Sequence, residues 1–431
     1  MQLNIKNPVK EYDIIIAGGG PAGCAAAIAA GRMGAQVLVL EATGCLGGMA
    51  TAGLVSKWAP YSDKQKVLYH SISLEILKRY KERAEIPEKK WDWVNIDPEI
   101  LKVVYDEMLA EAGAKVMFQS TICDALVEDG NISCLIVANK AGLTPYKAKI
   151  YIDCTGDGDV ATFAGVPFQM GNEEGHLQPG SLCFAVSDVH LDKITQTVNS
   201  NPTDGVWARV RDEGKYPLTS KHFIPSIFGN TIFANAGHLY GVDATDPQQL
   251  SDAYTLGRQI AQEYMKVLKE YWPEAFCDAR LTVTAPLQGV RESRRIEGEY
   301  CFTIDDYIAR RSFPDEIGRN CYWLDCHGHS SQKNDYINYN KEGRNYGPGE
   351  SHGIPWRCLV PKVLDNLLVA GRCISMDRRS LASLRVMPNC LATGEAAGIG
   401  AALAVKQEIG VHAIDAQEVI SHIKKDAPEV L

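Results

Sequence analysis

Residues 12–23 read Tyr12-Asp13-Ile14-Ile15-Ile16-Ala17-Gly18-Gly19-Gly20-Pro21-Ala22-Gly23, and the change of texture inside this stretch decides the fold. The β-branched run suits a parallel strand buried on both faces. It ends at three glycines, and an Ala-rich helix follows from about Pro21 to Met33. A second apolar strand, Gln36 to Leu40, leads straight into Glu41, 18 positions beyond Gly23. Strand, tight turn, helix, strand and acid in this order are the fingerprint of a dinucleotide-binding unit. Gly18 permits the turn, Gly20 lets backbone N–H groups approach a diphosphate, and Gly23 lets the helix pack closely on the strand. The helix N-terminus adds partial positive charge facing the diphosphate. Glu41 accepts from a ribose diol and repels a 2′-phosphate, which disfavours NADP.

After Glu41 come Ala42-Thr43-Gly44-Cys45-Leu46-Gly47-Gly48-Met49-Ala50-Thr51-Ala52-Gly53, unlike the charged helix that usually continues a nicotinamide domain. Such a small-residue loop lets backbone approach a second flat ring system, or else is a mobile surface loop. Apolar spacing of three and four predicts amphipathic helices over Ser71 to Arg83 and Pro98 to Ala112. Short alternating runs then predict a small antiparallel insert with strands Val116 to Val127, Ile132 to Asn139 and Tyr146 to Ile152. Gly156, Gly158 and Ala161 formally repeat the glycine fingerprint. Asp157 and Asp159 would repel a diphosphate there, so the segment reads as a hydroxyl-binding turn or an Asp-capped helix start.

From Val166 to Tyr346 the texture is mixed, with a helix expected from Leu250 to Tyr271 and Gly-, Asn- and Tyr-rich loops from His329 to Gly353. The nucleotide fold resumes near Ile354: strand Asn366 to Ala370, turn Gly371 to Cys373, and a helix from Asn389 to Lys406 whose small residues imply close contact with a neighbour. The expectation is an α/β chain with a Rossmann-like domain, 1–165 plus 354–410, carrying a parallel sheet and a small antiparallel insert. An inserted α+β substrate or cap domain, 166–353, and a C-terminal extension, 411–431, complete it.

The chain has 431 residues, 45% hydrophobic and 23% charged, enough for two structural units. A formal charge of −9 makes nucleic acid and anionic membrane surfaces poor partners. No long apolar run opens the sequence, so neither a signal peptide nor a membrane span is expected and the cytoplasm is the expected location. The 13 cysteines, an odd number set mostly in apolar runs, suit reduced buried thiols.

Together the motifs resemble the glutathione-reductase-like superfamily of flavoproteins, and within it a bacterial FAD-dependent oxidoreductase family often left without an assigned substrate. The resemblance is nearly full length. It is carried by Ile16 to Gly23, Glu41 to Gly53, Ile152 to Gly165, Gly289 to Gly298, Ile354 to Pro361 and Asn366 to Gly398, the last three being the specific ones. It implies FAD, with its diphosphate on Gly18, Gly20 and Gly23 beside Pro21 and Ala22, and its adenosine ribose on Glu41 and Ala42, with Ile122 nearby. Gly47, Gly48, Met49, Ala50 and Thr51 are implied at the ribityl chain and ring, and Thr155, Gly156 and Asp157 in a turn beside the cofactor. Gly371, Arg372, Arg385, Met387 and Asn389 are implied at the flavin end, where the helix beginning near Asn389 also suits the negative charge of a reduced pyrimidine ring.

Two features of relatives are missing. Cys45 is followed by Leu46, Gly47, Gly48, Met49 and Ala50, so the Cys-x4-Cys pair of the disulfide reductases is absent. No second credible glycine fingerprint offers a built-in NAD(P)H site, so an external electron donor or acceptor, or the substrate itself, must exchange electrons with the flavin.

The flavin carries the difficult chemistry, leaving the protein to orient a small-molecule substrate and to manage a proton and a charge. Arg291, Arg294 and Arg357, the last in an expected strand, are candidates to clamp a carboxylate or polarise a carbonyl, or else to pair with acids such as Glu292, Glu297 and Glu299. His327 and His329, beside Asp325, are candidates for proton transfer. Asp325, Cys326, His327 and His329 lack a second ligand cluster, so no metal is expected. Hydride transfer between substrate and flavin N5 is the leading reading; a flavin-dependent monooxygenase and a flavin-stabilised binding protein are the alternatives.

Overall fold

The computed structural model describes residues 11–198, 210, 213–215, 223–225, 229–329 and 345–425. Its main sheet has seven strands. In chain order they are β1 (Glu11–Ala17), β2 (Val37–Leu40), β3 (Lys115–Met117), β4 (Thr121–Glu128), β5 (Asn131–Asn139), β6 (Gly142–Asp153) and β11 (Leu367–Val369). Side by side they run β3-β2-β1-β6-β5-β4, with β11 also paired to β6. β1 lies parallel to β2, Ile14 opposite Val37, and parallel to β6, Ile16 opposite Ile152. Ile14, Ile15, Ile16 and Ala17 are all buried, as a parallel strand covered on both faces requires.

The antiparallel insert begins later than its sequence suggests. Val116 belongs to β3, which pairs parallel with β2, and the antiparallel ladder starts only at Thr121. A three-residue strand is too short to reveal its period, so in sequence Val116 merges with the alternating run that follows it. β6 serves both regions: Gly142 to Tyr146 pair antiparallel with β5, whereas Lys147 to Asp153 pair parallel with β1.

α1 (Pro21–Arg32) packs on β1 and β2; α2 (Ser71–Arg83) and α3 (Pro98–Glu111) lie beside it. Asp97 caps α3 through the N–H groups of Glu99 and Ile100. Gly18 has φ +90°, and a Cβ on Gly23 would overlap the Gly18 carbonyl, so both positions of the first turn require glycine.

A second sheet is antiparallel, in the spatial order β8 (Phe223–Pro225), β9 (Ile232–Ala234), β7 (Phe184–Ser187) and β10 (Arg280–Thr284). α4 (Pro247–Tyr271) covers it with Ala261, Tyr264, Met265 and Leu268 against Phe184, Val186, Ile232 and Ala234. The helix starts at Pro247 rather than Leu250 because Asp246 caps it on Gln248 and Gln249. Ile296, Phe302, Tyr307, Phe313, Ile317 and Leu324 instead join the main core.

The chain returns to the main sheet through β11, then α5 (Arg378–Leu384) and α6 (Met387–Gln407), which packs against α1 and β6. No described helix is long and apolar enough to cross a membrane. Of the stretch from His329 to Gly353, residues 330–344 with Tyr336 lie outside the described residues, as do residues 1–10 and 426–431.

Candidate active site

One cavity of about 1270 Å³ opens where β1 meets α1 and reaches Asn235, directly after β9, and His238. Gly18, Gly20, Pro21 and Ala22 form its first wall, with Glu41, Ala42 and Ile122 close by. Gly20 precedes α1 with no side-chain cap on the helix, and a Cβ there would meet nothing within 4 Å. The N-terminal N–H groups of α1 therefore face a space free to take an anion. The Glu41 carboxylate accepts from the N–H of Gly19 and of Thr43, each at 2.7 Å, so it ties the glycine turn to the next loop. One acceptor site on each oxygen is still available to hydroxyls.

Gly48 and Met49 continue the wall, in a single 3-10 turn, Gly48–Ala50. Thr155, Gly156, Asp157, Gly371 and Arg372 line the opposite side. Buried Asp153 organises that turn, accepting from Thr155 N at 3.0 Å, Thr155 Oγ1 at 2.7 Å and Ala161 N at 2.9 Å. Asp157 is itself committed: Arg372 Nη2 donates to it at 2.7 Å and Ser293 Oγ at 2.6 Å, while Arg372 Nη1 reaches Ser293 at 2.7 Å. Arg385 and Met387 border the cavity at the start of α6, which also lacks a side-chain cap.

Beyond them the cavity widens into a chamber walled by Arg291, Asn235, His238, Tyr240, Asp325 and His327. Tyr322, Trp323 and Trp93 supply its aromatic side, Tyr322 and Trp323 stacked at 4.3 Å and Trp93 and Trp323 at 5.2 Å. Arg291 donates to Pro179 O at 2.7 Å and Asn235 Oδ1 at 3.3 Å. Arg385 donates to Asp325 through O at 2.9 Å and Oδ2 at 3.1 Å, and His327 Nε2 lies 3.3 Å from Asp325 Oδ1. The His238 and His327 rings meet edge to face at 4.9 Å.

Burial alone would raise the Asp325 carboxyl, but the His327 hydrogen bond and the charges of Arg385 and Arg291 outweigh it and hold the group well below the usual range. Burial and then Arg291 pull His327 down to about 4 and His238 down to about 3. Burial with Arg385 lowers Arg291 to about 10. The chamber thus holds neutral imidazoles beside an ionised carboxylate and two guanidiniums at neutral pH.

These imidazoles have a consequence for stability. His352, buried beside Phe302 and Tyr307, is likewise pulled down to about 3, by burial and then Arg319 and Arg310. All three histidines are protonated near pH 6.5 once unfolded, so their contribution is whole above that pH and is lost as pH falls toward 4. The combined slope approaches ~4 kcal/mol per pH unit. Asp159, raised to about 6 by burial and by Asp157 and Asp153, offsets about one histidine's share between pH 6 and 4. The urea midpoint is expected to fall markedly from pH 7 to pH 5; equal midpoints would contradict the buried neutral histidines.

Other expected site residues stand outside the cavity wall. Gly23, Gly47, Ala50, Thr51 and Asn389 shape it from behind: Gly47 N donates to Gly19 O at 2.8 Å, Thr51 Oγ1 to Leu46 O at 2.5 Å, and Asn389 Nδ2 to Leu384 O at 2.6 Å. Arg294 pairs with Asp159 at 2.8 Å and lies over Phe168. His329 stacks on His176 at 4.4 Å. Arg357 sits in a 3-10 turn rather than a strand, pairs with Asp315 at 2.9 Å and covers Tyr300 at the surface. Burial raises the Cys321 thiol to about 12, which disfavours a reactive thiolate there. Among the described residues, the ligand atoms of one exposed group, His190, Cys277 and Asp278, lie within 4.8 Å of one another.

Sequence reasoning missed Trp93, Asn235, His238, Tyr240 and Trp323. They come from three separated segments, and no spacing marks them; the closest to a signal is the polar pair His238 and Tyr240, linked Nδ1 to OH at 3.0 Å.

A parallel sheet, a glycine turn opening onto an uncapped helix and a long cleft ending in a polar chamber define a dinucleotide-binding α/β protein with a second ligand space. A family model described as FAD dependent oxidoreductase matches residues 13–423. The chain belongs to that family and is an FAD-dependent oxidoreductase. Among solved structures it is similar to a geranylgeranyl bacteriochlorophyll reductase-like protein from Thermoplasma acidophilum, at 11% identity and TM-score 0.48 over 97% of this chain and 83% of that one. It is also similar to the OxyS anhydrotetracycline hydroxylase from Streptomyces rimosus, at 12% identity and TM-score 0.45 over 96% of this chain and 65% of the hydroxylase. At TM-scores below 0.5 these likenesses define neither substrate nor mechanism. No curated protein matches the chain significantly.

Proposed function

We propose that the protein moves a hydride between a small organic substrate and the flavin N5, exchanging electrons with an external donor or acceptor, in the manner of the glutathione-reductase-like superfamily. The observation that carries this reading is the continuity of the cleft from the α1 N-terminus to the chamber of Arg291 and His327. Its volume of about 1270 Å³ exceeds the ~300–1,000 Å³ of common small-ligand pockets, leaving room for a second molecule beside FAD.

FAD supplies two-electron hydride chemistry when bound. The open space at Gly20, the uncapped helix and the Glu41 carboxylate fit its diphosphate and ribose. Arg372, Arg385 and the uncapped start of α6 fit the electron-rich pyrimidine end. Gly18, Gly48, Met49, Ile122, Thr155, Gly156, Asp157, Gly371 and Met387 line the path between, and the stretch 166–353 is proposed to close over the ring system. Cysteines set in apolar runs support action in the cytoplasm.

In the chamber Arg291 binds and polarises the substrate. His327, its Nε2 3.3 Å from Asp325 Oδ1, is held by that carboxylate as the proton-accepting imidazole. Asp325 also anchors Arg385, so one carboxylate orients both the base and a cation beside the flavin end. Trp93, Tyr322 and Trp323 exclude water from this side.

An anaerobic screen of small organic compounds tests the reading. Compounds of at least one chemical class are expected to bleach the oxidised flavin or to reoxidise the photoreduced flavin. Turnover only with oxygen, yielding hydroxylated product at the expense of NAD(P)H, would replace hydride transfer with the monooxygenase reading.

A further inference from the structure

Arg291 differs from its neighbours in how its charge is met. Arg294 pairs with Asp159, Arg372 with Asp157, Arg385 with Asp325, and Arg295 and Arg378 share buried Glu292. Arg291 is 8% exposed and has no carboxylate partner among the described residues; its two hydrogen bonds go to the neutral acceptors Pro179 O and Asn235 Oδ1. A guanidinium carries five N–H donors in a planar fork, so donors remain on the face it presents to the cavity. Because Asp325 offsets Arg385, Arg291 stays uncompensated in the chamber wall, and Lys57, over the Trp93 ring, adds a further cation to the same cavity lining.

An isolated buried charge is costly, and an arriving anion is the partner that removes the cost. Arg geometry favours a carboxylate, which it can hold through two parallel hydrogen bonds. His238 and His327 are neutral at pH 7, so the positive charge nearest an acid docked in the chamber is that of Arg291. Next to this charge stands an aromatic ladder: Tyr322 on Trp323 with planes 25° apart, and Trp323 on Trp93 with planes 30° apart. Tyr322 is near enough to Arg291 to couple with it electrostatically. Such faces pack offset against another flat π system.

We propose that the substrate class is a flat aromatic or conjugated organic carboxylate, its carboxylate docked on Arg291 and its π system against the Tyr322, Trp323 and Trp93 ladder. The proposal deepens the hydride-transfer reading of the same site.

The test titrates the FAD-loaded enzyme with benzoate, cinnamate and indole-3-acetate, each against its primary amide, by calorimetry and by flavin difference absorbance. At least one acid is expected to bind about tenfold or more tighter than its amide, the worth of a charge-assisted contact. Arg291→Gln should abolish that preference with FAD content unchanged, and Arg291→Lys should retain part of it. Amides binding as tightly as acids in all three pairs, no binding by any acid, or a preference that survives Arg291→Gln would overturn the proposal. The acid and amide comparison on the unaltered protein decides the matter even if the variants fail to fold. Acids that bind selectively to an enzyme inert in hydride exchange would leave this inference standing and remove the catalytic reading.

Discussion

Gly394→Ala is expected to cost more than ~3 kcal/mol of stability and to strip the protein of FAD. A methyl on Gly394 would overlap the Ala22 carbonyl, and one on Gly398 would overlap that of Ala26. The two glycines of α6, four positions apart, thus seat it against the backbone of two successive turns of α1. Backbone has no rotamer with which to yield, so the helices must separate. Ala22 also lines the cofactor cavity, so the displacement passes directly to the diphosphate turn. Gly44→Ala, where the added methyl meets nothing within 4 Å, should leave melting temperature and flavin content unchanged. Equal thermal stability of Gly394→Ala and the unaltered protein would show that α1 and α6 are not packed this closely.

Glu41→Arg is expected to lower FAD affinity by about a thousandfold or more. The substitution removes the acceptor for Gly19 N and Thr43 N, and it buries a cation in a position 7% exposed. With its two N–H ties gone, at ~1–3 kcal/mol each, the glycine turn leaves its binding geometry and must be restored on FAD binding; that cost and the lost ribose contact come to ~4 kcal/mol or more, each ~1.4 kcal/mol being tenfold. Flavin per protein, read from absorbance after gel filtration, should fall to near zero while circular dichroism of the apoprotein reports the sheet. A variant purified with full flavin content would remove Glu41 from the cofactor site.

The cofactor half of this site was legible because its parts are local. Strand, Gly18, Gly20, Gly23, helix and Glu41 lie within one short segment, where each residue type answers one geometric demand. The same holds for α2 and α3, whose apolar spacing marks them directly. The chamber was not legible, because topology assembles it. Trp93 precedes α3, Asn235 and His238 follow a strand of the second sheet, and Trp323 precedes Asp325 in an irregular run. Arg291 and Arg294 show the limit from the other side: three positions apart in one basic run, one faces the cavity and the other pairs with Asp159. Sequence names the charge, but only the fold decides whether an acid neutralises it.

The most direct measurement is the absorbance spectrum of the purified protein before and after anaerobic dithionite, followed by the supernatant spectrum after acid denaturation. The account predicts bands near about 370 and 450 nm that bleach on reduction and are released on denaturation, as for non-covalent flavin. A colourless protein that cannot be reconstituted with FAD would contradict it.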